Sequence, residues 1–189
     1  MNWNCGFLIG LLVLLSACAD LPERSASEYQ LGQMLYLQKQ SQWSFMGRLA
    51  LVGEKDSFSA SIHWKHNEFL DEIELAGPLD QGRMKISVNP EEVIIDDGDK
   101  VTVYEGSADD VVAGLLGVDM PVNALRFWVL GVYDPDIGYV DQSAGFYQGK
   151  WSVKYSELQK VDGRTLPKRM TAENDRARIK LIVDEWNLM

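Results

Sequence analysis

From Trp43 onward the hydrophobic positions recur with a period of two. Phe45, Gly47, Leu49 and Leu51 alternate with Ser44, Met46, Arg48 and Ala50, and Phe58, Ala60, Ile62 and Trp64 alternate with Ser59, Ser61, His63 and Lys65. Such alternation predicts strands that bury one face. It continues through Ile73 and Leu75, set among Glu72 and Glu74, and through Met84, Ile86 and Val88, set among Lys85 and Ser87. Short strands at about 92–96 and 100–104 are joined by Asp97-Gly98, a hairpin signal. Between about 107 and 131 the period becomes helical. Ser107 is a good N-cap, with Asp109 and Asp110 in the positive first turn. Val111, Val112, Leu115 and Leu116 form an apolar face, and Gly117 is placed to stop the helix. A second helix begins near Met120-Pro121, carries Leu125, Trp128 and Val129 on one face, and ends at Gly131. Alternation returns at Trp151, Val153 and Tyr155. A polar turn, Asp162-Gly163, then precedes Leu166-Pro167, and the chain closes with Ile179, Leu181, Val183 and Trp186. Ahead of all the strands, Ser27 is placed to cap a helix to about Gln40, with Tyr29, Met34, Leu35 and Leu37 as its apolar side. Helix, strands, two helices, strands is an α+β order with a largely antiparallel sheet, not the βαβ alternation of a nucleotide-binding fold.

The first seventeen residues belong to none of these patterns. Met1 to Ala17 holds no Asp, Glu, Lys or Arg, and its centre is an apolar run from Gly6 to Leu15. A membrane span needs roughly 20 apolar residues, so the run has the length of a signal-peptide core instead. Leu15-Ser16-Ala17-Cys18 resembles the bacterial lipobox. Small residues there let the peptidase reach the backbone, and the cysteine thiol takes a diacylglycerol. Cleavage before Cys18 removes Cys5 and leaves the lipidated Cys18 as the only cysteine, so no disulfide and no cysteine-based metal site is expected. A single acyl chain binds a membrane only marginally, whereas the several chains implied by a lipobox hold firmly. Ala19, not Asp, follows Cys18, which favours sorting to the outer membrane. Residues 18–27 are expected to be the lipidated end and a tether, and 28–189 one domain.

Charge and chemistry narrow the function further. The chain has 189 residues with 18 basic and 28 acidic side chains, a net charge of −10. Phosphate backbones demand a basic stripe, so nucleic acid is excluded as a partner. His63 and His66 are the only histidines. Three apart on a strand, they face opposite ways and cannot share a metal, and both are expected on an exposed polar edge. Glu91-Glu92, Asp96-Asp97 and Asp109-Asp110 fall where turns and helix starts favour acids anyway. With no Walker A loop and no Gly-x-Ser-x-Gly, no catalytic residue, metal or cofactor is expected.

Five segments together resemble the LolB family of outer-membrane lipoprotein receptors. They are Trp43-Ser-Phe-Met-Gly-Arg-Leu-Ala50, Phe58 to Trp64, Ile73 to Leu79 continued by Gln81-Gly82, Met120 to Gly131, and Leu166-Pro167 with Ile179 to Trp186. The family loop often has glycine where this chain has Asp80. The resemblance implies an open half-barrel sheet covered by short helices, as in LolA and LolB. It also implies an outer-membrane protein, anchored at Cys18 and facing the periplasm, that works without ATP. Such a protein takes acylated lipoprotein cargo from the carrier LolA and sets its acyl chains among the phospholipids of the inner leaflet. An apolar sheet face under apolar helices suits that role independently. The expected acyl-chain pocket, beneath the helices near Trp128, is lined by Leu49, Ile62, Trp64, Ile73, Leu75, Met84, Ile86, Leu116, Leu125, Trp128, Val129 and Trp151. By resemblance Leu79 is the membrane-contact residue of the protruding loop. A monomer is expected. The alternatives are another lipid- or glycolipid-binding lipoprotein of the same fold, and a lipid-anchored hydrolase of envelope polymers.

Overall fold

The computed structural model describes residues 29–78 and 82–189. The expected signal segment, Cys18, the tether, the Ser27 cap and Leu79 lie outside the described residues.

The alternating segments form strands as expected. They are β1 (Gln42–Val52), β2 (Ser57–Asn67), β3 (Leu70–Ala76), β4 (Met84–Val88), β5 (Val93–Asp96) and β6 (Val101–Tyr104). Two helices follow, α2 (Ala108–Leu116) and α3 (Val122–Trp128), with α1 (Leu31–Met34) ahead of β1. The second run of strands is β7 (Tyr139–Gln142), β8 (Gly145–Gln148), β9 (Trp151–Val161), β10 (Arg164–Glu173) and β11 (Arg178–Leu188). All eleven described strands belong to one sheet in the order β6-β5-β4-β3-β2-β1-β11-β10-β9-β8-β7. Every pairing is antiparallel. Each half of the chain is a meander, and β1 joins the halves by pairing with β11.

Local chemistry explains the joints. Asp162 and Gly163 both have positive φ, 48° and 77°, the backbone that a tight two-residue hairpin requires. Gly117 takes φ 69° and ends α2, as its position predicts. Gly47 sits where the β1–β11 register shifts. A Cβ there would collide with the backbone oxygen of Ile182, so only glycine lets these two central strands approach.

Two elements depart from expectation. The helix expected up to Gln40 is α-helical only over Leu31–Met34 and tightens into a 3₁₀ turn over Leu35–Lys39. Tyr29, Leu31, Met34 and Leu37 nevertheless reach the core. The tighter winding brings Gln38 Nε2 within 3.0 Å of the Tyr133 carbonyl. The β7–β8 hairpin has no counterpart in the sequence reading.

Candidate functional site under the helical cover

The pleat sends alternate residues of each strand to one side of the sheet, and the helices lie against that side. Leu49, Ile62, Trp64, Ile73, Leu75 and Ile86 from the strands, Leu125 and Trp128 of α3, Val129 just after it and Trp151 of β9 share one core, none more than 4% exposed. Met84 and Leu116 are half-buried against it. The twelve expected pocket residues are therefore brought together, but not alone. Trp43, Phe45 and Trp186 are packed among them, with ring centres 5.5 Å apart for Trp43–Trp64 and 5.1 Å for Phe45–Trp186. Around Trp128 these side chains pack against one another, while hollows of about 200 and 490 Å³ open on the Arg126 side of α3.

Polar ties hold the cover down unevenly. On one flank of α3 the Trp128 indole N–H donates to Gln148 Oε1 at 2.8 Å, and the Asp134 amide donates to the same oxygen at 2.9 Å. Gln148 Nε2 in turn donates to the carbonyls of Asp134 and Ile137, both at 2.8 Å. Tyr155 donates to the Trp128 carbonyl at 2.8 Å and Tyr29 to the Gly131 carbonyl at 2.9 Å, while their rings stack at 4.5 Å. Burial pushes both phenols well up from their ordinary range, so they stay protonated and donate.

On the other flank stands Asp71. Its Oδ1 accepts the Trp64 indole N–H at 2.8 Å and lies 2.8 Å from His66 Nδ1, and its Oδ2 is 3.2 Å from Arg126 Nη2 of α3. His66 is buried and stacks on Trp43 at 5.2 Å, which corrects the expectation of two exposed histidines. His63 is exposed, on the opposite face.

α2 is held more lightly. Among the described residues, the Asn123 backbone and side-chain N–H groups donate to Asp109 Oδ1 at 3.1 and 3.3 Å, and the Val122 amide also faces this carboxylate. Burial pushes the Asp109 carboxyl up from its ordinary range despite the amides facing it. The rest of the hold is apolar, through Ala108 and Val112 with Val111 and Leu116 at the margin.

The acidic pairs have local duties. Asn89 organises the turn that holds Glu91 and Glu92, and Asp96 and Asp97 accept amides of their own hairpin. No cluster of three or more His, Cys, Asp or Glu fit for a metal occurs among the described residues.

The outward side of the sheet carries a hollow of about 740 Å³ bordered by Arg48, Ala50, Ser59, Pro78, Lys180 and Ile182. Leu49 also borders it. A second hollow, about 410 Å³, is bordered by Met46, His63, Arg83 and Asp184 together with Ile62 and Leu75. The polar roles of Asp71, Gln148 and Arg126 are not among the sequence-based expectations, and Tyr155 is expected there only as an apolar strand position. Asp71 and Gln148 carried a usable signal, because each sits at an inward position two residues from a buried hydrophobic, Ile73 and Phe146.

No helix among the described residues is long and apolar enough to cross a membrane. The family model described as outer membrane lipoprotein LolB matches residues 41–186. A protein named outer-membrane lipoprotein LolB from Nitrosococcus oceani is 28% identical over 200 residues, covering all of both chains. One of the same name from Alkalilimnicola ehrlichii is 28% identical, covering 96% of each. Among solved structures, an outer membrane lipoprotein-sorting protein domain from Vibrio parahaemolyticus superposes with a TM-score of 0.50 at 9% identity. It covers 84% of this chain and 92% of its own, a likeness of fold.

Proposed function

Because the chain belongs to the LolB family of outer-membrane lipoproteins, we propose that it is the receptor that delivers lipoproteins into that membrane. It takes acylated cargo from a LolA-type carrier and places the acyl chains in the inner leaflet, without ATP. The observation that carries this reading is the broad apolar sheet face beneath a helical cover, of which α2 is weakly tied. Acyl chains are admitted by displacement of that cover, and then occupy the ground that Leu49, Ile62, Trp64, Leu116 and Trp128 hold among themselves when it is closed. The handover is non-covalent and asks for no catalytic group. It runs downhill because each methylene buried better than in the carrier gains roughly 0.8 kcal/mol, so a few suffice.

Residues 1–17 are the signal, Cys18 is the lipid attachment site facing the periplasm, and residues 28–189 act as one lipoprotein-binding unit that works as a monomer. Leu79 touches the phospholipid surface at release, an apolar residue one step beyond Gly77-Pro78.

The test mixes lipoprotein-loaded carrier with the purified chain, then adds outer-membrane vesicles. Cargo is expected to pass first to the chain and then to the vesicles. Retention on the carrier refutes the receptor reading. Leu79→Glu is expected to accept cargo normally but fail at the second step, and normal delivery by that variant removes the role given to Leu79.

A further inference from the structure

The outward face of β1 is unusual for a surface exposed to water. Its outward positions include Met46, Ala50 and Val52, and Met46 and Val52 are 48% and 46% exposed. Across the ladder Ala50 pairs with Ser59 of β2 on one side and Lys180 of β11 on the other, while Arg48 pairs with Ser61 and Ile182. Small side chains thus lie between longer ones, and the resulting trough is the 740 Å³ hollow. Pro78 walls it, at the root of the β3–β4 connection.

The charges at the trough are not balanced. Arg48 is committed to Asp184, with Nη2 and Nε at 2.9 and 3.2 Å from the two carboxylate oxygens. Lys180 has no ion pair among the described residues, and its ladder neighbours, Ala50 and Thr171, are uncharged. An apolar floor with one cation and one serine hydroxyl, Lys180 and Ser59, that have no side-chain partner among the described residues matches the upper part of a phospholipid, which offers a phosphate next to glycerol and methylenes.

We propose that this trough seats the headgroup of a single anionic phospholipid, its phosphate on Lys180 and Ser59 and its glycerol region against Ala50, Ile182 and Pro78. The bound lipid turns the outward face of the central strands toward the membrane and sets the β3–β4 connection at the lipid surface. The assignment rests on the reading that the chain works at a membrane, and it adds which face meets it.

The full lipidated chain, reconstituted in phosphatidylethanolamine vesicles that contain phosphatidylglycerol with a photoactivatable headgroup, provides the test. After irradiation, adducts mapped by peptide mass spectrometry are expected in residues 48–61 and 180–182. They are expected to fall about five-fold in Lys180→Glu and in Ala50→Trp, which fills the trough. Equal labelling of the outward faces of β9 and β10, or unchanged yields in both variants, overturns the proposal. Loss of the adducts on adding inorganic phosphate also overturns it, since the site would then hold free phosphate. Cargo transfer, measured on the same samples, separates the two readings. Adducts without transfer refute the receptor and leave the lipid site standing.

Discussion

Asp71 is the residue on which the buried polar chemistry of one flank of α3 converges. It is 1% exposed and serves Trp64, His66 and Arg126 together, so one carboxylate joins β2, β3 and α3. Asp71→Ala leaves the Trp64 indole N–H without its acceptor and the Arg126 guanidinium without its counter-charge, with only Asn123 Oδ1 among the described residues still accepting from it. Breaking a buried pair from one side costs about 3–5 kcal/mol. The lower end is expected here, because the Arg126 side chain is 25% exposed and water can recover part of its solvation. Urea unfolding measures it, and a midpoint equal to that of the unaltered chain counts against the role given to Asp71. The same residues mark where reading single positions from sequence stops. The parity of Ile62 and Trp64 runs on to His66, so its inward direction was available. What parity does not supply is a partner, and without Asp71 in view a histidine at a strand end is most simply placed in water.

At the scale of elements, the cover divides into a firm part and a loose one. α3 is tied on both flanks, by Arg126 to Asp71 and by Trp128 to Gln148, whereas α2 hangs on Asp109 and a narrow apolar stripe. Backbone amides of α2 are expected to exchange with deuterium earlier than those of α3. In Asn123→Ala the α2 amides are expected to speed up about five-fold, the loss of roughly 1 kcal/mol from the side-chain bond to Asp109, while Arg126 loses its bond to Asn123 but keeps Asp71 and the segment around Gln148 is unchanged. Equal exchange in the two helices refutes the distinction. The long strands such as β1 and β2 were legible because their alternation is sustained, and the two short helices because Ser107, Pro121 and the glycines at 117 and 131 mark their ends. The β7–β8 hairpin was not, because its polarity is inverted. Gln148 is turned inward, while Val140 and Tyr147 are turned out, 66% and 49% exposed. The inward direction of residues such as Leu49, Ile62 and Trp64 was legible, since alternation says which side chains face inward and nothing about how tightly they pack.

For the molecule as a whole, the net charge of −10 is a property no single contact reveals. An acidic surface speeds encounter with a basic partner and does little for contacts between apolar surfaces. Cargo transfer from the carrier is therefore expected to slow as salt rises toward and beyond about 0.15 M, where the screening length is about 8 Å. Stopped-flow transfer rates that stay flat across that range argue that the charge serves solubility alone. The last consequence concerns β6 and β7, which stand at opposite ends of the strand order and do not pair. A sheet closed on itself has a girth set by its strand number and stagger, and widening it means breaking rungs. Among the described residues this one is a gutter with two unpaired rims. It can flatten or tighten by a small change of twist at every rung, so its bore is free to follow the bulk of what it carries while every hydrogen bond of the ladder is kept.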